Sequence, residues 1–228
     1  MSLNDSSYPV GDVLSERVSV AGETHKVLRN TYMLLAMTLA FSAVVAGVSA
    51  WLRLPYPGII LTLVGFYGLL FAIHKCRNST AGVALVFTLT GFMGYTLGPL
   101  ISHFLSSAQG TNILMLALGG TAIIFFAMSA IGLTSKRDFG FMGNFLLVGV
   151  LVAFVCGLVS VLFDFPALSL AVSGAFIFLS SGLILYETNR IVRGGETNYV
   201  IATVMLYMQI YNLLVSLLHI LSAFGGDD

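Results

Sequence analysis

The feature that most constrains this chain is a series of long apolar runs that fills almost all of it. Short polar or Gly/Pro-containing segments separate the runs, which lie at about residues 30–52, 57–74, 81–105, 111–134, 141–163, 166–187 and 199–223. A helix needs about 20 apolar residues to cross a bilayer, and these runs approach or exceed that length. They lack the two-residue alternation of barrel strands, which leaves helices as the spanning structure. The sequence predicts an all-α membrane protein, a bundle of seven transmembrane helices.

Composition excludes several classes of function. Of 228 residues, 57% are hydrophobic and 9% are charged, whereas roughly 25% are charged in a soluble domain. Ten Lys and Arg balance ten Asp and Glu, so no basic surface for nucleic acid is expected. No nucleophile–base pair, phosphate loop or metal-ligand spacing is present. We therefore expect no enzymatic activity and no cofactor or metal site, with the lipid bilayer as the first partner. The sequence does not fix an oligomeric state.

The basic residues predict the orientation of the bundle. If the N-terminus is cytoplasmic, all but one of the ten Lys and Arg residues fall on the cytoplasmic side, and Arg53 is the exception. The cytoplasmic set is Arg17, Lys26, Arg29, Lys75, Arg77, Lys136, Arg137, Arg190 and Arg193. Because cytoplasmic loops carry the excess of Lys and Arg, the N-terminus is predicted to be cytoplasmic and the C-terminus periplasmic.

Residues 1–28 are polar, and no signal-peptide pattern is present among them. We expect a disordered cytoplasmic tail over 1–28, followed by the transmembrane domain over 29–228. Fully extended, such a tail reaches about 90 Å at roughly 3.3 Å per residue. That is long enough to enter the pore of a translocating protease, although a passive tail would have the same composition.

Glu187, at the end of the sixth run, is the acid placed closest to membrane depth. Ionisable groups inside a membrane are costly and are functional candidates by default. The alternative is an interfacial Glu that pairs with Arg190 or Arg193, each within two helical turns. The sequence is compatible with a functional acid and with an interfacial ion pair. Under the first interpretation, Glu187 is a candidate ion or proton site.

The seventh run carries a polar stripe. Its members are spaced by three, four and three residues and are Gln209, Asn212, Ser216 and His219. At 100° per residue they occupy an arc of about 80°, which must face the bundle interior or water. The stripe either forms a polar core opposite Glu187 or makes hydrogen bonds between helices.

The third run contains Gly94 and Gly98 in a GxxxG pattern, followed by Pro99. Small residues at this spacing let helices approach closely, either between two chains or within one bundle. Pro99 removes a backbone donor and is expected to kink the helix, as a hinge or as a fixed shape.

Three segments together resemble the Bax inhibitor family of seven-span membrane proteins. They are the Gly-rich stretch 91–100 ending in Gly98-Pro99, the motif Tyr186-Glu187-Thr188, and the stretch 206–213 of the seventh run. Residues 24–32, 57–65 and 194–199 are similar to a bacterial inner-membrane branch of this family. The resemblance covers residue 24 to the C-terminus and implies a multi-pass protein of the bacterial inner membrane.

For the bacterial branch, the resemblance implies a modulator and substrate of the membrane AAA protease FtsH. Other members are pH-sensitive calcium leaks gated by an acid pair on the sixth and seventh helices. Here Glu187 keeps the first carboxylate, whereas Gln209 stands at the second position and cannot ionise. The resemblance thus favours protease modulation. A cation leak with Glu187 as the titrating group and calcium as the transported ion is the alternative.

Overall fold

The structure is a computed structural model that describes residues 10–107 and 109–225, with side chains from residue 22 onward. This part of the chain forms seven α-helices: α1 Val10–Trp51, α2 Ile59–Cys76, α3 Thr80–Leu105, α4 Gly110–Thr134, α5 Met142–Leu162, α6 Pro166–Val192 and α7 Tyr199–Gly225. Seven segments within them are long and apolar enough to cross a membrane. The prediction of an all-α fold with seven membrane-length helices is confirmed.

Helix α1 begins well before its apolar run, which starts at about residue 30. The division into a tail over 1–28 and a transmembrane domain over 29–228 stays a prediction. The helix begins at Val10, and its candidate membrane span begins at Gly22. Val27 and Leu28 pack against the hydrophobic core. The apolar run measured only the part of the helix that needs lipid, whereas the helix itself continues past it. Residues 1–9 lie outside the described part of the chain.

Helix α6 ends five residues later than its apolar run, at Val192 rather than at Glu187. Its last turn closes with two backbone bonds, from Gly194 N to Ile191 O at 3.0 Å and from Gly195 N to Arg190 O at 2.9 Å. Gly194 has a φ of 72°, the left-handed conformation that glycine adopts without strain at a helix C-terminus. The glycines therefore end the helix, and Glu187 lies inside it.

Helix α7 is the centre of the bundle. It packs against α1, α3, α4 and α6, while α2 lies against α3 and α5 against α6. Half of the most apolar window of α7 is buried, compared with 6% for α2. The main core cluster accordingly draws many of its fully buried members from α7, including Val200, Leu206 and Leu213. The peripheral helices turn their apolar surface outward, as lipid-facing helices do.

Hydrogen bonds join the α2–α3 and α6–α7 connections at one end of the bundle. Asn198 begins α7, and its Oδ1 accepts from Val200 N and Ile201 N at 3.1 Å each. The amide nitrogen of the same side chain donates to Arg77 O at 3.1 Å and to Asn78 Oδ1 at 2.8 Å. One side chain thus caps α7 and fixes the neighbouring connection.

Candidate functional site

Glu187 is the one buried charged side chain in the described part of the chain, with 5% of its surface exposed. Arg190, one turn later on α6, places Nη1 3.6 Å from Glu187 Oε2. That oxygen has no hydrogen-bond partner among the described residues. A buried carboxylate with one partly exposed cation and an unsatisfied oxygen is costly to maintain. Its position inside α6 is the feature that most resembles a functional site.

Arg190 and Arg193, the two expected partners of Glu187, have different roles. Arg190 also reaches Glu196 in the α6–α7 connection, with Nη2 3.2 Å from Oε2, and its Nε donates to Gly195 O at 3.3 Å. Arg193 makes its hydrogen bonds elsewhere, to Asn189 Oδ1 at 3.2 Å and to Lys136 O at 2.6 Å. One guanidinium therefore links the helix carboxylate to the connection after it, and the other holds the α4–α5 connection.

Asn189 is a contact point that the sequence analysis missed. It is 2% exposed, and its Nδ2 lies 3.4 Å from Gly132 O and 3.3 Å from Arg137 O. Its Oδ1 accepts from Phe139 N at 3.4 Å as well as from Arg193. The side chain therefore fixes the end of α4 and the start of the α4–α5 connection. An amide two residues after Glu187, past the apolar run, was the available signal.

The residues of the polar stripe of α7 differ in burial. Gln209 and Ser216 are buried, Asn212 is half-buried and His219 is exposed. His219 Nδ1 lies 2.9 Å from Ser173 Oγ on α6, so this end of the stripe bonds between helices. Gln209 Oε1 is buried with no partner among the described residues.

The structure does not join Glu187 and Gln209. No hydrogen bond links them within the described residues. At about 1.5 Å per residue, Gln209 lies about 15 Å from the start of α7, and Glu187 about 8 Å from the end of α6. Because the α6–α7 connection is short, the two groups lie at different depths.

Two tyrosines of α7, which the sequence analysis also missed, make more hydrogen bonds to other helices than the polar stripe does. Tyr207 Oη lies 2.6 Å from Ser42 Oγ on α1 and donates to Thr90 O on α3 at 3.3 Å. Tyr211 Oη lies 3.0 Å from Thr96 Oγ1 on α3. Their hydroxyl groups tie the central helix to α1 and α3.

The signature glycines of α3 lie against α1 of the same chain. A Cβ at Gly94 would come 2.5 Å from Ser42 O, and one at Gly98 would overlap the Ser49 side chain. Ser49 Oγ donates to Tyr95 O at 3.1 Å. The GxxxG pattern is therefore used inside the bundle. Pro99 lies within the continuous helix α3, and its kink stays a prediction.

No group of three His, Cys, Asp or Glu side chains that could hold a metal ion occurs among the described residues. The described part of the molecule is a bundle of membrane-length helices with a single buried carboxylate. The fold and this site define the class of multi-pass helical membrane proteins.

Comparison with known proteins gives the family. The model of the family described as "Inhibitor of apoptosis-promoting Bax1" matches residues 24–226, and the chain belongs to this Bax inhibitor family. It is 52% identical to "Modulator of FtsH protease YccA" of Escherichia coli K12 over 204 residues, which cover 90% of this chain and 93% of that protein.

Other relatives match the sequence of this chain over similar lengths. "Inner membrane protein YccA" of E. coli O6:H1 is 52% identical over 90% of this chain. An uncharacterized protein of Pseudomonas aeruginosa is 46% identical over 99% of this chain and 100% of its own length. The chain is an inner-membrane protein, as the resemblance implied. It is not an enzyme, in agreement with the sequence analysis.

Proposed function

We propose that this chain is an interaction protein that modulates an FtsH-type protease in the inner membrane. The observation that carries the proposal is the 52% identity to the protein named as a modulator of FtsH, spread over 90% of this chain and 93% of that one. A match of this length covers the whole bundle rather than one shared segment. The surface that meets the protease is therefore expected to be common to both proteins.

The proposed orientation has the N-terminus in the cytoplasm and the C-terminus in the periplasm. This orientation is supported by the position of the basic residues, most of which lie at one end of the bundle. Three connections that carry Lys and Arg, α2–α3, α4–α5 and α6–α7, lie at the end where α1 begins. Hydrogen bonds of Asn198 and Arg193 join them there. An excess of Lys and Arg is typical of the cytoplasmic side.

The proposed handle for the protease is the segment that precedes the packed part of α1. Among the side chains that the structure describes, which start at residue 22, Val27 is the first to pack against the core, and chain termini are preferred entry points for proteolysis. A translocating protease requires such a segment, because it must grip the chain before it can pull on the packed bundle. Deletion of residues 2–20 removes most of it and leaves the packed helix intact.

The experiment follows the half-life of the protein in cells that contain FtsH, after protein synthesis is stopped. The variant without residues 2–20 is expected to last longer than the full chain, whereas deletion of residues 226–228 at the other terminus leaves turnover unchanged. Equal turnover of all three chains would rule out the handle. In the same cells the full chain is expected to slow degradation of another membrane substrate of FtsH. No change in that degradation would rule out modulation.

A cation leak is a second candidate, favoured by the burial of Glu187. Its carboxylate is 5% exposed inside a membrane-length helix, and acids in that position mark ion or proton paths in other membrane proteins. Glu196 is the matched control, since it shares Arg190 with Glu187 but lies in a connection. Calcium flux into dye-loaded liposomes should depend on pH and be altered in Glu187→Gln but not in Glu196→Gln. Absence of flux above that of empty liposomes, with folded and inserted protein, would eliminate the leak.

A further inference from the structure

A pocket of about 650 Å³ lies beside the first turns of the α1 span. Its lining residues are Gly22, His25, Lys26, Leu28, Arg29 and Tyr32 of α1 with Leu133 of α4. On a helix these α1 positions share one side, with His25, Lys26 and Arg29 within an arc of about 100°. Leu28 and Tyr32 flank them on the edge toward α4. The pocket therefore has a basic wall next to an apolar wall.

Within the described residues, the basic wall of the pocket has no carboxylate partner. The ion pairs among the described side chains are both made by Arg190, so Lys26 and Arg29 have no carboxylate within ion-pair distance there. Both are exposed. Glu23 and Glu196 line a second cleft that Lys26 also borders. The charge of the pocket is therefore available to an anion from outside the protein.

The pocket lies at the level of the lipid headgroups. The span Gly22–Trp51 has 30 residues, about 45 Å of helix at 1.5 Å per residue, whereas the hydrocarbon core is about 30 Å thick. Trp51, 81% exposed, is suited to the opposite interface. The first ten or so residues of the span must therefore extend beyond the hydrocarbon. Lys26 and Arg29 are among them, while Leu133 lies in the last turn of α4.

The two helices that line the pocket each have their main contacts with other helices. Helix α1 packs chiefly on α3 and α7, and α4 on α6 and α7. The pocket thus lies between two helices that are not principal neighbours. A molecule with one anionic group and an apolar chain fits both walls at once, with its charge beside Lys26 and Arg29 and its chain beside Leu28 and Leu133.

We infer that this pocket binds an anionic phospholipid, with the headgroup phosphate held by Lys26 and Arg29 and an acyl chain descending between α1 and α4. Basic pockets between transmembrane helices recognise such headgroups through charge and through the adjoining apolar surface. His25 also lines the pocket and is exposed, so its ring can lie beside the headgroup. The hydroxyl of Tyr32 instead lies 3.1 Å from Thr188 Oγ1 on α6, so its ring contributes to the apolar side of the pocket.

The test measures lipid bound to the full-length protein, purified in detergent, by native mass spectrometry. Phosphatidylglycerol and phosphatidylcholine with identical acyl chains are offered in competition, and preferential retention of phosphatidylglycerol is expected. The double variant Lys26→Gln/Arg29→Gln should lose that preference, with an affinity about 10- to 30-fold lower for two removed charges. The matched control is Lys75→Gln/Arg77→Gln, which removes two exposed charges from the α2–α3 side of the same end.

Three results would overturn the inference. The first is equal retention of the two lipids by the unaltered protein. The second is equal loss in the control variant, which would show that total charge rather than the pocket attracts the lipid. The third is displacement of the bound lipid by millimolar inorganic phosphate, which would show a site for small anions. Circular dichroism and elution volume verify that both double variants are folded.

Discussion

At the scale of single residues, the side chains that make the most polar contacts are uncharged. Asn189 alone serves the end of α4, the α4–α5 connection and Arg193. It is buried, so its donors and acceptor have no water to turn to if these bonds are lost. Glu187 is two residues away on the same helix. The geometry around the buried carboxylate thus depends on an amide that bears no charge.

Replacement of Asn189 by Ala tests this dependence. The change leaves Gly132 O and Arg137 O without their donor, and we expect a loss of about 1–3 kcal/mol of stability. Thermal unfolding in detergent measures it. Asn144→Ala in the first turn of α5 removes an exposed Asn whose side chain makes no hydrogen bond among the described residues, and it should cost less than about 0.5 kcal/mol. Equal effects of the two substitutions would contradict a special role for Asn189.

At the scale of elements, α3 and α1 form the closest helix pair. Gly94 and Gly98 lie one helical turn apart and face Ser42 and Ser49, so the two backbones meet without intervening side chains. In lipid, helix association depends on such packing and on interhelical hydrogen bonds, because apolar surface gains nothing by leaving lipid for protein. The bond from Ser49 to Tyr95 O is of this kind.

A single methyl group should separate these helices. In Gly94→Ala the new Cβ meets the backbone oxygen of Ser42, which cannot move aside as a side chain would. We expect a loss of about 1–3 kcal/mol in unfolding free energy. Gly119→Ala on α4 is the control, because nothing lies within 4 Å of a Cβ there. The alternative is that the glycines bring two chains together. In that case Gly94→Ala would alter the oligomeric state and leave the stability of the monomer unchanged.

At the scale of the whole molecule, charge is unevenly divided between the two ends of the bundle. At the end where α1 begins, Lys75 lies in the last turn of α2, and the connections carry Arg77, Lys136 and Arg137. Arg53 lies in the α1–α2 connection at the other end. Hydrogen bonds of Asn198 and Arg193 unite the first end. This asymmetry is what sets the expected orientation in the membrane.

Two cysteine variants at opposite ends test the orientation. Asn78→Cys and Ser106→Cys both place an exposed thiol in a short connection, in a background where Cys76 and Cys156 are replaced by Ser. A maleimide that cannot cross the inner membrane should label Ser106→Cys in cells with a permeable outer membrane. It should label Asn78→Cys only after the inner membrane is opened. The reverse pattern would mean that the N-terminus is periplasmic.

The helices could be predicted from the sequence because a helix that crosses a bilayer needs an apolar run of a minimum length. Five of the seven helix starts fall within one residue of the expected run starts, and α2 begins within two. The larger differences, at the start of α1 and the end of α6, lie where the helices extend beyond the apolar runs. At the end of α6, the turn at Gly194 decides the boundary, and hydropathy carries no information about it.

The candidate site could be predicted only in part from the sequence. Glu187 was identifiable because an acid beside an apolar run is conspicuous, and Arg190 because it is one turn away. The contacts of Asn189, Tyr207 and Tyr211 were not, since each joins residues more than 50 positions apart or on different helices. A polar atom on one helix does not reveal which partner will satisfy it.

The sequence by itself determined the class, the number of spans and the family of this protein, because these follow from apolar length and from local motifs. Only the tertiary structure decided which helix is central, which groups remain buried without partners, and where a basic wall meets an apolar one between α1 and α4. Lipid selects helices one at a time, by length and hydropathy. Their arrangement depends on close packing and on hydrogen bonds between distant segments, which no single segment encodes.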